Sequence, residues 1–184
     1  MTTPITMLWR RLDTPGHDAC RLDEGTSRWR LDGTAVFRDP GGGPAALAYH
    51  VEGDVGWQAQ VATVRGWVGD RPIDVAISRA RAAWSLNGIV VAGLDGCADV
   101  DLGFTPATNL IAIRRLGLQV GQAADAPAAW LDLATGALER LQQRYDRRSE
   151  TTYGYEAPRF GYAAPLEVTP TGFVRLYPGL WESA

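Results

Sequence analysis

Short stretches of alternating apolar and polar residues, separated by turn-forming residues, run through most of the chain. A period of two marks half-buried β-strands. Ser27–Leu31 puts Trp29 and Leu31 on one face and Arg28 and Arg30 on the other; Asp32-Gly33 then predicts a turn before Thr34–Phe37 resumes the extended pattern. Strands are expected over Ala46–Val51 and, after a turn at Gly53-Asp54, over Trp57–Val68, where Trp57, Ala59, Val61 and Thr63 alternate with Gln58, Gln60 and Ala62. Ile73–Ile77 follows, apolar at its odd positions. Trp84–Leu86 and Ile89–Val91 flank Asn87-Gly88, a pair that tolerates the two positive φ angles of a type I′ hairpin turn. The first half therefore reads as an antiparallel meander.

In the second half, Leu110–Leu118, Ala128–Leu133, Tyr153–Glu156, Gly161–Val168 and Gly172–Tyr177 read as further strands. The first of these is apolar on both faces, with Ile111 and Ile113 opposite Leu110, Ala112 and Leu116, which suggests an interior strand. Ala137–Tyr145 fits two patterns: Leu138, Leu141 and Tyr145 have helical spacing, while Leu141 and Tyr145 also share one face of a strand. The expected class is mainly β with few short helices, below about a quarter of residues in helix. No linker or composition break divides the chain, so residues 1–184 are expected to form a single domain.

With 46% hydrophobic and 21% charged residues over 184 positions, the chain can bury a sizeable core. All 18 cationic side chains are arginine, which removes Schiff-base chemistry, pyridoxal-phosphate attachment and the P-loop lysine together. A net charge of −3 gives no basic field for nucleic acid or an anionic membrane. Cys20 and Cys97 have no CxxC spacing and His17 and His50 pair with neither, so no metal site or cofactor is expected. No apolar run approaches the ~18 residues of a membrane-spanning helix, and Met1–Trp9 lacks the pattern of a signal peptide, so a cytoplasmic protein is expected.

The densest chemistry lies between Gly96 and Leu116. Asp99 and Asp101 are two apart, so on an extended chain both carboxylates face the same way, about 6–7 Å apart. Thr105, Thr108 and Asn109 add hydroxyls and an amide suited to a turn, and Arg114-Arg115 ends the apolar run. On a strand these arginines point opposite ways, so one is partly buried and requires an acidic partner, for which Asp99 and Asp101 are nearest. Among the seven tryptophans and six tyrosines, Trp84, Trp130, Tyr153 and Tyr155 are the candidates to line a cavity, as flat platforms with a polar edge.

The segment Asp99-Val-Asp-Leu-Gly-Phe-Thr-Pro-Ala-Thr-Asn109, followed by Ile113-Arg-Arg-Leu116, resembles the bacterial family described as "putative glycolipid-binding", formerly a domain of unknown function. Ala129-Trp130-Leu131, Gln143-x-Tyr145, Tyr153-x-Tyr155 and Gly172-Phe-Val…Tyr177-Pro178 extend the match from about Trp57 to Trp181. The resemblance implies a strongly curved antiparallel sheet, an incomplete barrel remotely similar to bacterial carriers of lipids and lipoproteins, and it tilts Leu138–Tyr145 toward strand. No catalytic residue comes with it.

Three functions compete. The first is a non-catalytic binding protein that holds an amphipathic small molecule, a glycolipid or other lipid conjugate, on the concave face of the sheet. Its ligand residues would be Asp99, Asp101, Thr105, Thr108, Asn109, Arg114, Arg115, Trp84, Trp130, Tyr153 and Tyr155. In the second, the polar motif only stabilises a structural or interaction module. The third is a hydrolase of carbohydrate or lipid conjugates using Asp99 and Asp101, although such carboxylates normally flank the scissile bond from opposite sides. The first predicts a concave site floored by apolar strand residues and rimmed by the motif from Asp99 to Arg115.

Overall fold

The computed structural model describes residues 3–184. Strand accounts for 57% of the chain and helix for 8%, as the period-two pattern requires. The first half is a meander of consecutive antiparallel neighbours: β1 (Ile5–Arg11), β2 (Gly16–Glu24), β3 (Arg28–Arg38), β4 (Pro44–Asp54), β5 (Ala59–Val68), β6 (Arg71–Ala80), β7 (Ala83–Leu86) and β8 (Ile89–Val90). The chain then leaves this sheet through β9 (Asp99–Asp101), a 3-10 turn at Pro106–Thr108 and helix α1 (Asn109–Leu116). Next come β10 (Ala123–Asp125), β11 (Ala128–Asp132), β12 (Ala137–Leu141) and β13 (Arg144–Arg147). A second meander closes the order with β14 (Thr152–Ala157), β15 (Tyr162–Val168), β16 (Val174–Tyr177) and β17 (Trp181–Ser183).

Fourteen strands form one curved, open sheet in the order β10-β13-β14-β15-β16-β17-β1-β2-β3-β4-β5-β6-β7-β8. The strand last in sequence thus lies beside the first, with Trp9 opposite Ser183. Strands β9, β11 and β12 make a separate three-stranded sheet in which β9 runs parallel to β11. Ala137–Tyr145, ambiguous in the sequence, is extended: β12 sits in the small sheet, β13 in the large one, and Gln143 lies where the chain changes sheets.

The Asn87-Gly88 hairpin forms as expected, with φ of 49° and 80°. Three local expectations are corrected. Asp32-Gly33 is no turn; β3 runs straight through it. Gly33 pairs with Tyr49 on β4, and a Cβ there would sit 2.2 Å from Tyr49 Cζ, so the glycine makes room for a ring lying across the strand. The turn expected at Gly53-Asp54 falls at Asp54–Trp57, where Trp57 takes φ 60° and stands outside β5. A register shift between Glu52 and Gly53 accompanies it, and the inward side chains of β5 become Ala59, Ala62 and Val64 rather than a single odd-numbered set.

The third correction concerns Leu110–Leu118, read as an interior strand. Its residues form α1, because an apolar run buried on most sides loses the alternation that separates strand from helix. The helix signals lie at its ends. Thr105 Oγ1 accepts from Ala107 N at 3.0 Å, Pro106 follows as the first residue of the turn, and Gly117 stops the helix at φ 53°.

Helix α1 sits between two apolar cores. Leu110 and Ile111 join Leu31, Leu47, Val51 and Val64 of the first meander and Leu102, Leu131 and Leu138 of the small-sheet region. Ala112 and Ile113 join Tyr145 of β13 and Tyr153, Leu166 and Val174 of the second meander. Leu110 and Ile111 are fully buried, and each such side chain contributes about 1.5–3 kcal/mol of transfer free energy. The helix and the small sheet therefore fill much of the concave side.

Candidate functional site

Asp99 and Asp101 share a face of β9, opposite Ala128 and Trp130 of β11, yet their surroundings differ. Asp99 is buried against α1, where Arg115 Nε and Nη2 donate to its two oxygens at 2.7 Å each. Burial pushes its carboxyl up despite this pairing. Arg114, one residue earlier, diverges around the helix: it donates to Glu24 at 2.8 Å and to the Thr171 carbonyl at 3.1 Å, and its guanidinium lies 4.5 Å over the Trp57 ring.

Asp101 has no ion-pair partner among the described residues. Gly103 N donates to one oxygen at 2.7 Å and Gln143 Nε2 to the other at 2.9 Å. Behind it, Tyr145 donates to Gln143 Oε1 at 3.2 Å, and Asn109 Nδ2 donates to the Tyr145 hydroxyl at 2.8 Å. Burial without a cation pushes the Asp101 carboxyl up to about 6.

Thr105 carries a second such carboxyl. Its hydroxyl donates to Asp18 on β2, which also accepts from the Tyr49 hydroxyl at 3.0 and 3.2 Å. Asp18 is fully buried, and that burial pushes it up to about 6. Sequence reasoning missed it, although Asp18, Cys20 and Leu22 form one inward set on β2 and an aspartate on that face stands out.

Asp101, Thr105 and Asn109 form the polar side of a cavity of about 380 Å³. Its other walls are aromatic. Tyr155, Tyr162 and Tyr177 pack with centroids 5.2–6.1 Å apart, Trp181 also lines the chamber, and Trp130 meets Phe160 edge to face at 5.3 Å. Tyr162 donates to the Pro178 carbonyl at 2.7 Å, which fixes its ring. Such a chamber offers flat apolar faces beside hydrogen-bonding groups, a combination suited to a hydroxylated ring.

Five of the expected residues thus converge here: Asp101, Thr105, Asn109, Trp130 and Tyr155. The others lie elsewhere. Asp99 and Arg115 are joined in their ion pair, and Thr108 is buried with no partner for its hydroxyl. Trp84 is a core residue that donates to the Cys97 carbonyl at 2.9 Å. Arg114 and Tyr153 flank a separate cavity of about 170 Å³, with Arg147 5.6 Å from the Tyr153 ring. Sequence reasoning missed Gln143, Phe160, Tyr162, Tyr177 and Trp181. Two of these had a signal: Tyr177 and Gln143 lie within the motifs that carry the resemblance.

This chamber is more polar than the apolar-floored hollow expected from the sequence. Helix α1 packs between the two cores, and this chamber has a polar floor from the motif with mainly aromatic walls. Among the described residues no group of three or more His, Cys, Asp and Glu is placed to hold a metal, and no helix is long and apolar enough to cross a membrane.

The family described as "putative glycolipid-binding" matches residues 6–183. A crystal structure of a DUF1089 family protein from Pseudomonas aeruginosa is similar over 91% of both chains, at 27% identity and a TM-score of 0.80. No curated protein matches the sequence.

Proposed function

Because the chain belongs to the putative glycolipid-binding family, we propose that it binds, without transforming it, an amphipathic ligand whose hydroxylated headgroup enters the aromatic chamber. Asp101 accepts hydrogen bonds from ligand hydroxyls, Thr105 and Asn109 flank it, and the rings of Trp130, Tyr155 and Tyr177 face the sugar-like body. The observation that carries this reading is the lack of an ion pair at Asp101: a half-buried carboxyl with two protein donors keeps acceptor capacity directed at an open cavity. Charged acceptors make the stronger hydrogen bonds, and flanking aromatic rings that exclude part of the solvent strengthen them further.

The hydrolase reading asks for two carboxyls across a scissile bond. Asp99 is held by Arg115 outside the chamber, which favours binding over hydrolysis. Asp99, Arg115 and Thr108 serve the packing of α1.

Native mass spectrometry of freshly purified protein tests the reading, together with tryptophan fluorescence titrations, since Trp130 and Trp181 line the chamber. A co-purified or titrated glycoside that binds the natural chain and is lost from an Asp101→Ala variant that still unfolds cooperatively in urea is the expected result. A natural chain that carries no adduct and shows no fluorescence response to glycosides overturns it.

A further inference from the structure

A second cavity, of about 250 Å³, lies on the other side of Trp130. The two chambers share Gly103 and Trp130 in their walls. Arg11 completes the partition: its guanidinium sits between Phe37 of the second chamber and Trp181 of the first, 4.9 and 5.0 Å from the ring centroids.

The lining of this second chamber is mainly apolar, with Phe37, Val68, Leu102, Phe104, Leu131 and Leu133 contributing. Most charged groups around it are engaged by the protein itself. Arg11 is paired with Asp13, Arg71 donates to the Leu133 carbonyl, and Asp132 accepts from Ala134 N and the Thr135 hydroxyl at 2.9 Å. Asp39 Oδ1 is the exception, buried without a partner. The partition itself is thin. Gly103 has φ 70°, and a Cβ there would lie 2.6 Å from Trp130 Nε1, so a glycine lets the indole settle against the backbone between the two spaces.

We propose that the two chambers form one bipartite site, in which the second takes the apolar tail of the ligand whose headgroup occupies the first, with Trp130 and Arg11 at the junction. The proposal rests on the headgroup reading above and adds the class of the remainder: a single short alkyl or acyl chain. A methylene fills about the space of a water molecule, roughly 30 Å³, so the chamber accommodates on the order of eight carbons. Each buried methylene raises affinity about fourfold.

Calorimetric titration with n-alkyl β-glucosides and β-galactosides from methyl to decyl, kept below their micellar concentrations, tests this, with n-alkanols as controls lacking a headgroup. Affinity is expected to climb about fourfold per carbon and level off near eight. Ala134→Phe, at an exposed position of the second chamber, should flatten the climb while leaving methyl glycoside affinity unchanged; Val68→Phe provides a second filling variant. Binding that is indifferent to chain length overturns the bipartite site and leaves the headgroup reading standing. A climb that the filling variants leave intact also overturns it. Alkanols that bind as tightly as the glycosides overturn the headgroup reading instead, and silence from every probe overturns both.

Discussion

Arg115 grips Asp99 with two parallel hydrogen bonds of 2.7 Å, and the Asp99 side chain is only 3% exposed. A pair of this kind is expensive to break from one side, because the remaining charge keeps its burial and loses its partner. Arg115→Met should cost about 3–5 kcal/mol in urea unfolding. Arg114→Met should cost about 1 kcal/mol, since its partner Glu24 lies near the surface and the Trp57 contact adds little. Combining Arg115→Met with Asp99→Leu should recover most of the first loss. Equal losses for the two single variants would show that Arg115 is not a buried anchor.

Stability should fall as pH rises through the weakly acidic range. Asp18 and Asp101 release their protons near 6 in the native chain and near 3.8 when unfolded. Between those values the native state holds more protons, so raising the pH favours unfolding until both carboxyls are ionised. Asp99, pushed up by burial, acts in the same direction, and the surface Asp23, pulled down by Arg21, acts against it. A shift of this size corresponds to at most about 3 kcal/mol per group. The urea midpoint should therefore be higher at pH 5 than at pH 8. Asp18→Asn keeps an acceptor for Tyr49 and Thr105 and should remove a large part of that difference. An identical slope in the variant would show that Asp18 does not carry it.

Gly33→Ala should destabilise although alanine ordinarily suits a strand better than glycine. The new methyl would occupy the place of the Tyr49 ring and push its hydroxyl away from Asp18. A cost of about 1–3 kcal/mol is expected from overpacking alone. Pairing it with Tyr49→Ala, which vacates the space, should show strong non-additivity in a double-mutant cycle.

Gly103→Ala should act on the site more than on the fold. The side chain meets the Trp130 indole and strains a left-handed backbone by about 1–2 kcal/mol. Glycoside affinity, followed by tryptophan fluorescence, should drop on the order of tenfold, the scale of one displaced anchor. Unaltered affinity would place Trp130 outside the binding contact.

How far the sequence reveals this molecule depends on whether a feature is local. Alternation along β3 and β4 and the Asn87-Gly88 turn are decided by neighbouring residues, and they read correctly. Gly33 misled because its reason is Tyr49, sixteen positions away on the adjacent strand. Helix α1 was hidden by burial between two cores, where a helix and an interior strand show the same apolar run; the proline and glycine at its ends were the better guide. In the chamber, the motif residues Asp101, Thr105 and Asn109 were visible as unusual polar chemistry. The aromatic wall was not, because Phe160, Tyr162 and Trp181 come from separate turns and strands that only the tertiary fold assembles. Asp99 and Asp101 looked equivalent in sequence, and only the approach of Arg115 from α1 tells them apart.

Pairing β1 with β17 has a kinetic consequence. The meander from β1 to β8 joins neighbours in sequence and can assemble while the chain is being synthesised, but its β1 edge stays unsatisfied until residues Trp181–Ser183 arrive. Loop closure over such a span is slow, and an open edge meanwhile invites pairing with other chains. Trp181 is at once the clasp of the sheet and a wall of the chamber. A nascent chain therefore completes the aromatic chamber in the same event that covers the open edge of β1.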